Sequence, residues 1–242
     1  MRLDERLVDL GLAPTRARAR DLVLRGFVRV NGAVCEKPGR DCGAAPVELD
    51  SQAPRFVSRG AEKLLCALDH FKFESTGLTA LDIGASTGGF TEALLERGAR
   101  KVYAVDVGRG QLHAKHISDR RVVSLEQQDA RTLTRHLVPD NIDAIVADLS
   151  FISLTKALGA ALTLAAPGAW LAALIKPQFE VGPGVVGAGG VVRDEAARTA
   201  AVESVTRWVA SQPQWRVLGV IPSPILGGSG NVEYLIGAVR NE

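Results

Sequence analysis

Five residues able to do chemistry each close an apolar run in this chain. Asp82 ends TALDIG, Asp106 ends KVYAVDVG, Asp129 follows RVVSLEQQ, Asp148 ends IDAIVADLSF and Lys176 ends WLAALIKP. Ligands of open α/β sheets bind outside the carboxyl ends of the strands, so side chains at those ends face the crevice. One strand-end aspartate usually closes a turn or caps a helix. Four at successive strand ends point to a pocket lined by carboxylates, which suits a ligand carrying positive charge. Asp106 sits where a ribose diol is gripped. A lysine at the end of a buried strand can accept a proton if burial or a neighbouring cation lowers it from its ordinary value of about 10.4. It can equally point into solvent. Strand position leaves both readings of Lys176 open.

The elements that must position these residues alternate. TALDIG, KVYAVDVG, RVVSLEQQDA, IDAIVADLSF, WLAALIKP, WRVLGVI and NVEYLIGAVR read as strands. GGFTEALLERG, SLTKALGAALTLAA and DEAARTAAVESVTRWVA read as helices between them. That order predicts a doubly wound α/β sheet with helices on both faces. The turn after the first of these strands, ALDIGASTGGF, is expected to hold a ligand with Gly84, Ser86, Gly88, Gly89 and Phe90, beside Asp82. A dinucleotide needs G-x-G-x-x-G for close pyrophosphate approach, and Ser86 replaces the middle glycine. GASTG matches the G-x-S-x-G elbow of hydrolases, but that chemistry needs a late histidine, and no histidine follows His136. S-adenosylmethionine has no phosphate and carries a sulfonium charge, so it is the expected cofactor. No metal pattern is present: Cys35 and Cys42 lack a second ligand pair at zinc spacing.

The 242 residues suit one large domain with a small attachment, and 46% hydrophobic with 23% charged residues is ordinary for a globular chain. Three cysteines are too few for a disulfide framework, which points to a reducing cytoplasm. MRLDERLVDLGL has no signal core. The apolar run 158–175 reads as helix, turn and buried strand and not as a membrane span, because Pro167-Gly168 interrupts it. Charge is uneven: residues 1–60 hold 11 Lys/Arg against 8 Asp/Glu. The front of the chain predicts a helix with Leu3, Leu7 and Leu10 on one face. A second helix, capped by Thr15, buries Ala19, Leu22 and Val23 and is flanked by Arg16, Arg18, Arg20 and Arg25. FVRVNG follows as a strand entering an Asn-Gly turn. A basic unit of this size fits a docking module for a polyanion, with RNA favoured over a solvated helix face. Lys37 and Arg59 are expected to extend its RNA-binding surface.

RLDERLVDLGLAPTRARARDLVLRGFVRVNG resembles the small α+β RNA-binding domain named after bacterial small-subunit ribosomal protein four, which implies binding to structured RNA. Residues 58–242 resemble the FtsJ-like ribose 2′-O-methyltransferases, whose signature is a Lys-Asp-Lys-Glu tetrad. SRGAEKL, VADLSF, LIKPQFE and GNVEYL supply Lys63, Asp148, Lys176 and Glu233. The resemblance implies a Rossmann-like class I methyltransferase sheet of seven strands, with Lys176 as base on the ribose hydroxyl. It implies that Lys63 and Glu233 position that hydroxyl and that Asp148 orients Lys176. Together with LDIGASTGGFTEALL, GGVVRD and SPILGGSGNVEYL, the pattern resembles the TlyA family. This implies 2′-O-methylation of cytidine in ribosomal RNA, with the short start of the chain pointing to large-subunit RNA. One departure stands out: the loop EVGPGVVGAGGVVRD has Pro183 and Ala188 where the family is usually basic, leaving Arg193 as its one cation. RNA affinity is therefore expected to fall more on the first-domain arginines. The domains are read as 1–50, a linker 51–62, and 63–242. The expected partner is ribosomal RNA or a ribosomal subunit, in the cytoplasm, with no stable membrane partner; the oligomeric state is open. The alternatives are a haemolysin-like membrane-acting protein, since family members also carry that name, and a non-catalytic RNA-binding ribosome factor.

Overall fold

The computed structural model describes residues 1–182 and 184–242 and divides into two compact units, Met1–Arg59 and Gly60–Glu242. In the first, helices α1 (Leu3–Asp9) and α2 (Arg16–Leu24) pack beside a three-stranded antiparallel sheet of β1 (Val28–Val30), β2 (Ala33–Val34) and β3 (Val47–Leu49) in the order β2-β1-β3. The Thr15 side chain accepts the Arg18 amide at 3.2 Å, which starts α2 as its sequence predicts. Asn31 and Gly32 both have positive φ, the conformation a two-residue hairpin turn requires, and they join β1 to β2. Leu3, Leu7, Ala19, Leu22 and Val23 form the core with Val28 and Val30, and Cys35 and Cys42 are buried thiols within it. Leu10, expected on the buried face of α1, is 43% exposed because the helix ends one residue earlier. Residues 51–59, expected as linker, are compact with this first unit, and 60–62 are already the first turn of a helix.

That helix, α3 (Gly60–Phe71), opens the second unit, whose seven strands are β4 (Thr79–Ile83), β5 (Lys101–Asp106), β6 (Val122–Glu126), β7 (Ile142–Ala147), β8 (Ala165–Ile175), β9 (Trp215–Pro222) and β10 (Tyr234–Arg240). Their order is β6-β5-β4-β7-β8-β10-β9, parallel except for β10, which runs antiparallel between β8 and β9. β4 is buried along its whole length, as a central parallel strand covered on both faces must be. Its neighbours β5 and β7 lead away in opposite directions, and the crevice opens at that switch point. The helices are α4 (Gly89–Glu96), α5 (Ala114–Ile117), α6 (Leu154–Ala157), α7 (Gly159–Thr163), α8 (Pro177–Glu180) and α9 (Glu195–Ala210). The single helix expected over SLTKALGAALTLAA is two, α6 and α7, divided at Leu158. The apolar run 158–175 becomes α7 and β8. Pro167-Gly168 sits in an irregularity of β8, where pairing with β7 jumps from Ile142↔Ala165 to Ala144↔Trp170. Among the described residues no helix is long and apolar enough to cross a membrane.

One packing contact sets the geometry of the site. A Cβ at Gly237 of β10 would lie 2.6 Å from the Phe71 ring, so only glycine lets α3 seat there. From Phe71 back to Lys63 the helix rises about 12 Å. From Gly237 back to Glu233 the strand covers about 13 Å. The two lengths match, and the helix brings Lys63 level with Glu233.

Candidate active site

A cleft of about 550 Å³ opens at the carboxyl ends of β4, β5 and β7. Gly84, Ser86, Asp106, Asp129 and Asp148 lie on its wall, with Ile83, Val105 and Leu149 among the apolar lining. Gly84 has φ +82°, and a Cβ there would meet the Asp148 carbonyl oxygen at 2.7 Å. Close approach of two strand ends therefore demands glycine. Asp106 organises the turn: the Ser86 amide donates to Oδ2 at 2.8 Å and the Gly108 amide to Oδ1 at 2.7 Å. Asp129 caps the turn Ala130–Thr132 and pairs with Arg131 at 2.6 Å, and that guanidinium holds the carboxyl below its ordinary range. Sequence reasoning missed Glu126. Its carboxylate accepts the amides of Gly110, Gln111 and Leu112 at 2.7, 2.9 and 3.2 Å, which hold it below the usual range and fix the loop that presents Gln111 to the cleft. No local pattern marks a carboxylate that binds amides fourteen to sixteen residues upstream.

Four residues expected at the cofactor, Asp82, Gly88, Gly89 and Phe90, are not among those that line the cleft. Asp82 is wholly buried, takes the Thr91 hydroxyl at 2.7 Å on Oδ2, and is pushed up to about 7, burial outweighing that hydrogen bond. It ties β4 to α4. Gly88 has φ +96°, and a Cβ there would stand 2.5 Å from the His116 ring, so it admits the segment of α5 beneath the turn. Gly89 and Phe90 are buried in the first turn of α4.

The four tetrad residues form two ion pairs. Lys176, directly after β8, lies 2.6 Å from Asp148 Oδ1 and donates to Ser150 Oγ at 2.9 Å. Lys63 donates to Glu233 Oε2 at 2.5 Å. Tyr234 pairs with Ile175 across the antiparallel strands, so the next positions outward on β10 and β8 are Glu233 and Lys176. The register sets the pairs side by side. Gly227 presses against Glu233, where a Cβ would lie 1.9 Å from Oε1. A second residue the sequence reading missed is Phe151, on the cleft wall, 92% exposed and held at φ +65°, with its ring 5.1 Å from Phe179. Its only sequence signal is an aromatic three residues after Asp148.

In the first unit Arg16, Arg20 and Lys37 are exposed, and Arg25 and Arg59 are half-buried near Asp21 at 3.5 Å each. Arg16 also pairs with Asp4 and Glu5 at 3.1 Å, and Arg2, joined by Arg16, draws Asp4 down to about 2. Arg18 differs. It is buried, donating to Asp21 at 2.7 Å and to the Pro54 carbonyl at 2.8 Å, so it braces the unit and offers no surface to RNA. In the altered loop Ala188 and Arg193 are exposed, and Pro183 lies outside the described residues.

The cleft fits S-adenosylmethionine: the carboxylates of Asp106, Asp129 and Asp148 and the apolar side chains of Ile83, Val105 and Leu149 line one cavity. A family model described as FtsJ-like methyltransferase matches residues 56–240, and one described as S4 domain matches residues 1–44. The chain is 48% identical to the 16S/23S rRNA (cytidine-2′-O)-methyltransferase TlyA of Mycobacterium tuberculosis, over 97% of this chain and 88% of that protein. It is 40% identical to Hemolysin A of Brachyspira hyodysenteriae, over 97% of this chain and 98% of that one. A solved structure described as a hemolysin, from Streptococcus thermophilus, superposes with a TM-score of 0.79 at 37% identity, covering 100% of this chain and 89% of that one.

Proposed function

The chain belongs to the TlyA family of FtsJ-like methyltransferases with an S4 domain in front, and from that premise we propose that it methylates the 2′-hydroxyl of a cytidine in ribosomal RNA. It is an S-adenosylmethionine-dependent methyltransferase. The observation that carries the site assignment is Lys176 held between Asp148 and Ser150 at the cleft end of β8, with Glu233 in register beside it.

Bound in the cleft, S-adenosylmethionine supplies an electrophilic methyl group on a sulfonium. Asp106 keeps lone pairs free of its two backbone bonds for the ribose diol of the cofactor. Asp129 and Gln111 line the same cavity. Lys176, once neutral, accepts the 2′-hydroxyl proton at Nζ, and Asp148 balances the ammonium that results. Lys63 and Glu233, the pair beside Lys176 in register, position the ribose. The exposed Phe151 ring offers a face on which an unstacked base can rest. Arg16, Arg20 and Lys37, with Arg25 and Arg59 at the margin, supply phosphate contacts from the first unit. Such a substrate places the protein in the cytoplasm. A non-catalytic role would not need both lysines, and both stand paired.

The test is transfer of labelled methyl from S-adenosylmethionine to isolated small and large ribosomal subunits, with Lys176→Ala in parallel. Label on cytidine ribose of the large subunit, lost in the variant, is the expected result. Cofactor binding without label on either subunit would overturn the substrate assignment.

A further inference from the structure

Two short segments run on from the strands that end in the acid and the base. Residues 148–153 lead from β7 to α6, and residues 176–180 lead from β8 through α8. Glu180, the last residue of α8, reaches across from the second to the first. The Ser153 hydroxyl donates to its Oε2 at 2.5 Å, and the Leu154 amide donates to its Oε1 at 2.9 Å. Ser153 is the N-cap of α6 and also accepts the Thr155 amide at 3.2 Å, so the carboxylate fastens the start of that helix. Burial pushes the Glu180 carboxyl above its ordinary range, while the Ser153 hydroxyl and the Leu154 amide draw it back.

The same two segments touch at the Phe151–Phe179 ring contact, at the Lys176–Asp148 pair and at the hydrogen bond from Lys176 to Ser150. Of these connections, the Glu180 one involves no group at the cleft. A lysine side chain has four rotatable bonds, so the place of Nζ depends on how far the backbone at 176 stands from the backbone at 148. We infer that Glu180 is a positioning residue for the methyl transfer proposed above: it clasps the acid-bearing segment to the base-bearing segment and keeps Nζ aimed. The inference rests on that reading for its function, but the clasp itself can be tested apart from it.

The full-length chain would be prepared as wild type, Glu180→Ala, Glu180→Gln and Ser153→Ala, each checked for its unfolding midpoint. Two readouts follow: amide hydrogen exchange over residues 148–156 and 176–181, and steady-state transfer to ribosomal subunits with S-adenosylmethionine varied. In Glu180→Ala, exchange in both segments should quicken by about tenfold. Its kcat should fall about 10- to 100-fold with the KM for S-adenosylmethionine little changed. Glu180→Gln keeps an oxygen for Leu154 and an amide for Ser153, and should restore most of kcat. Ser153→Ala, which removes one bond only, should show a smaller loss in the same direction and serves if Glu180→Ala does not fold. Unchanged exchange in the folded variants overturns the clasp whether or not the wild type transfers methyl. Faster exchange with kcat intact, or a loss confined to KM, overturns the positioning role. Absence of transfer by wild type would instead strike the proposed function, with exchange still deciding the clasp.

Discussion

The two lysine–carboxylate pairs have the same chemistry and different surroundings. The Lys63 and Glu233 side chains are 7% and 2% exposed, sealed by the seating of α3 on β10 and by the backbone at Gly227. The Lys176 and Asp148 side chains are 11% and 24% exposed, and Asp148 opens on the cleft. A buried pair is costly to break, because the surviving charge is left without water or partner. On the proposed function the sealed pair holds a position and the open one moves a proton. Asp82 extends the contrast: it is a buried carboxyl whose partner is a hydroxyl and not an ammonium, and it titrates near neutrality.

If that division is right, Lys176→Ala lowers methyl transfer by roughly 10²- to 10⁴-fold, the usual range for losing a general base, while the urea midpoint barely moves. Lys63→Met does the reverse in emphasis. It strands Glu233 and should cost about 3–5 kcal/mol in urea unfolding, besides impairing transfer. Were Lys176→Ala the more destabilising of the two, the comparison would fail. Asp82 sharpens it through pH. Its folded value of about 7 lies above the ordinary value near 3.9, so the folded chain retains a proton that the unfolded chain has released. Stability from this group is therefore fullest below about pH 4 and declines as pH rises to about 7, by up to ~4 kcal/mol. Asp82→Asn cannot ionise, and denaturation across that range should show a flatter profile; an unaltered slope would remove Asp82 from the account. The smallest effects are expected in the first unit. Arg16→Ala and Arg20→Ala should each reduce the salt slope of RNA binding by about one. Arg18→Ala should leave the slope unchanged and lower the unit's stability, and a changed slope there would return Arg18 to the RNA surface.

Much of this was legible from local pattern. Thr15 caps α2 and Asn31-Gly32 turns the hairpin because capping and turn chemistry act over three or four residues. The tetrad was legible only through resemblance, since Lys63 and Glu233 lie 170 residues apart. Strand-end aspartates were read as one class, yet Asp82 faces inward to Thr91 while Asp106 and Asp148 face the cleft. Asp82 is the last but one residue of β4, whereas Asp106 closes β5 and Asp148 follows β7; successive side chains of a strand alternate faces, and local pattern does not tell at which residue each strand stops. Arg18, expected at the RNA surface, is buried for a related reason. Helical periodicity placed it at the margin of the apolar face, and only the return of the chain at Pro54 covered it.

By itself, then, the sequence determined the alternation of strands and helices, the glycine turn at the switch point, and the residue types available at the strand ends, because each of these follows from periodicity and turn geometry within a few residues. The tertiary structure decided which lysine meets which carboxylate, which of the two pairs stays open, and that Glu126 and Glu180 hold loops they are distant from in sequence. Those outcomes depend on strand order, on register, and on close seats such as that of Phe71 over Gly237, and contacts of that range are settled only when the whole sheet has closed.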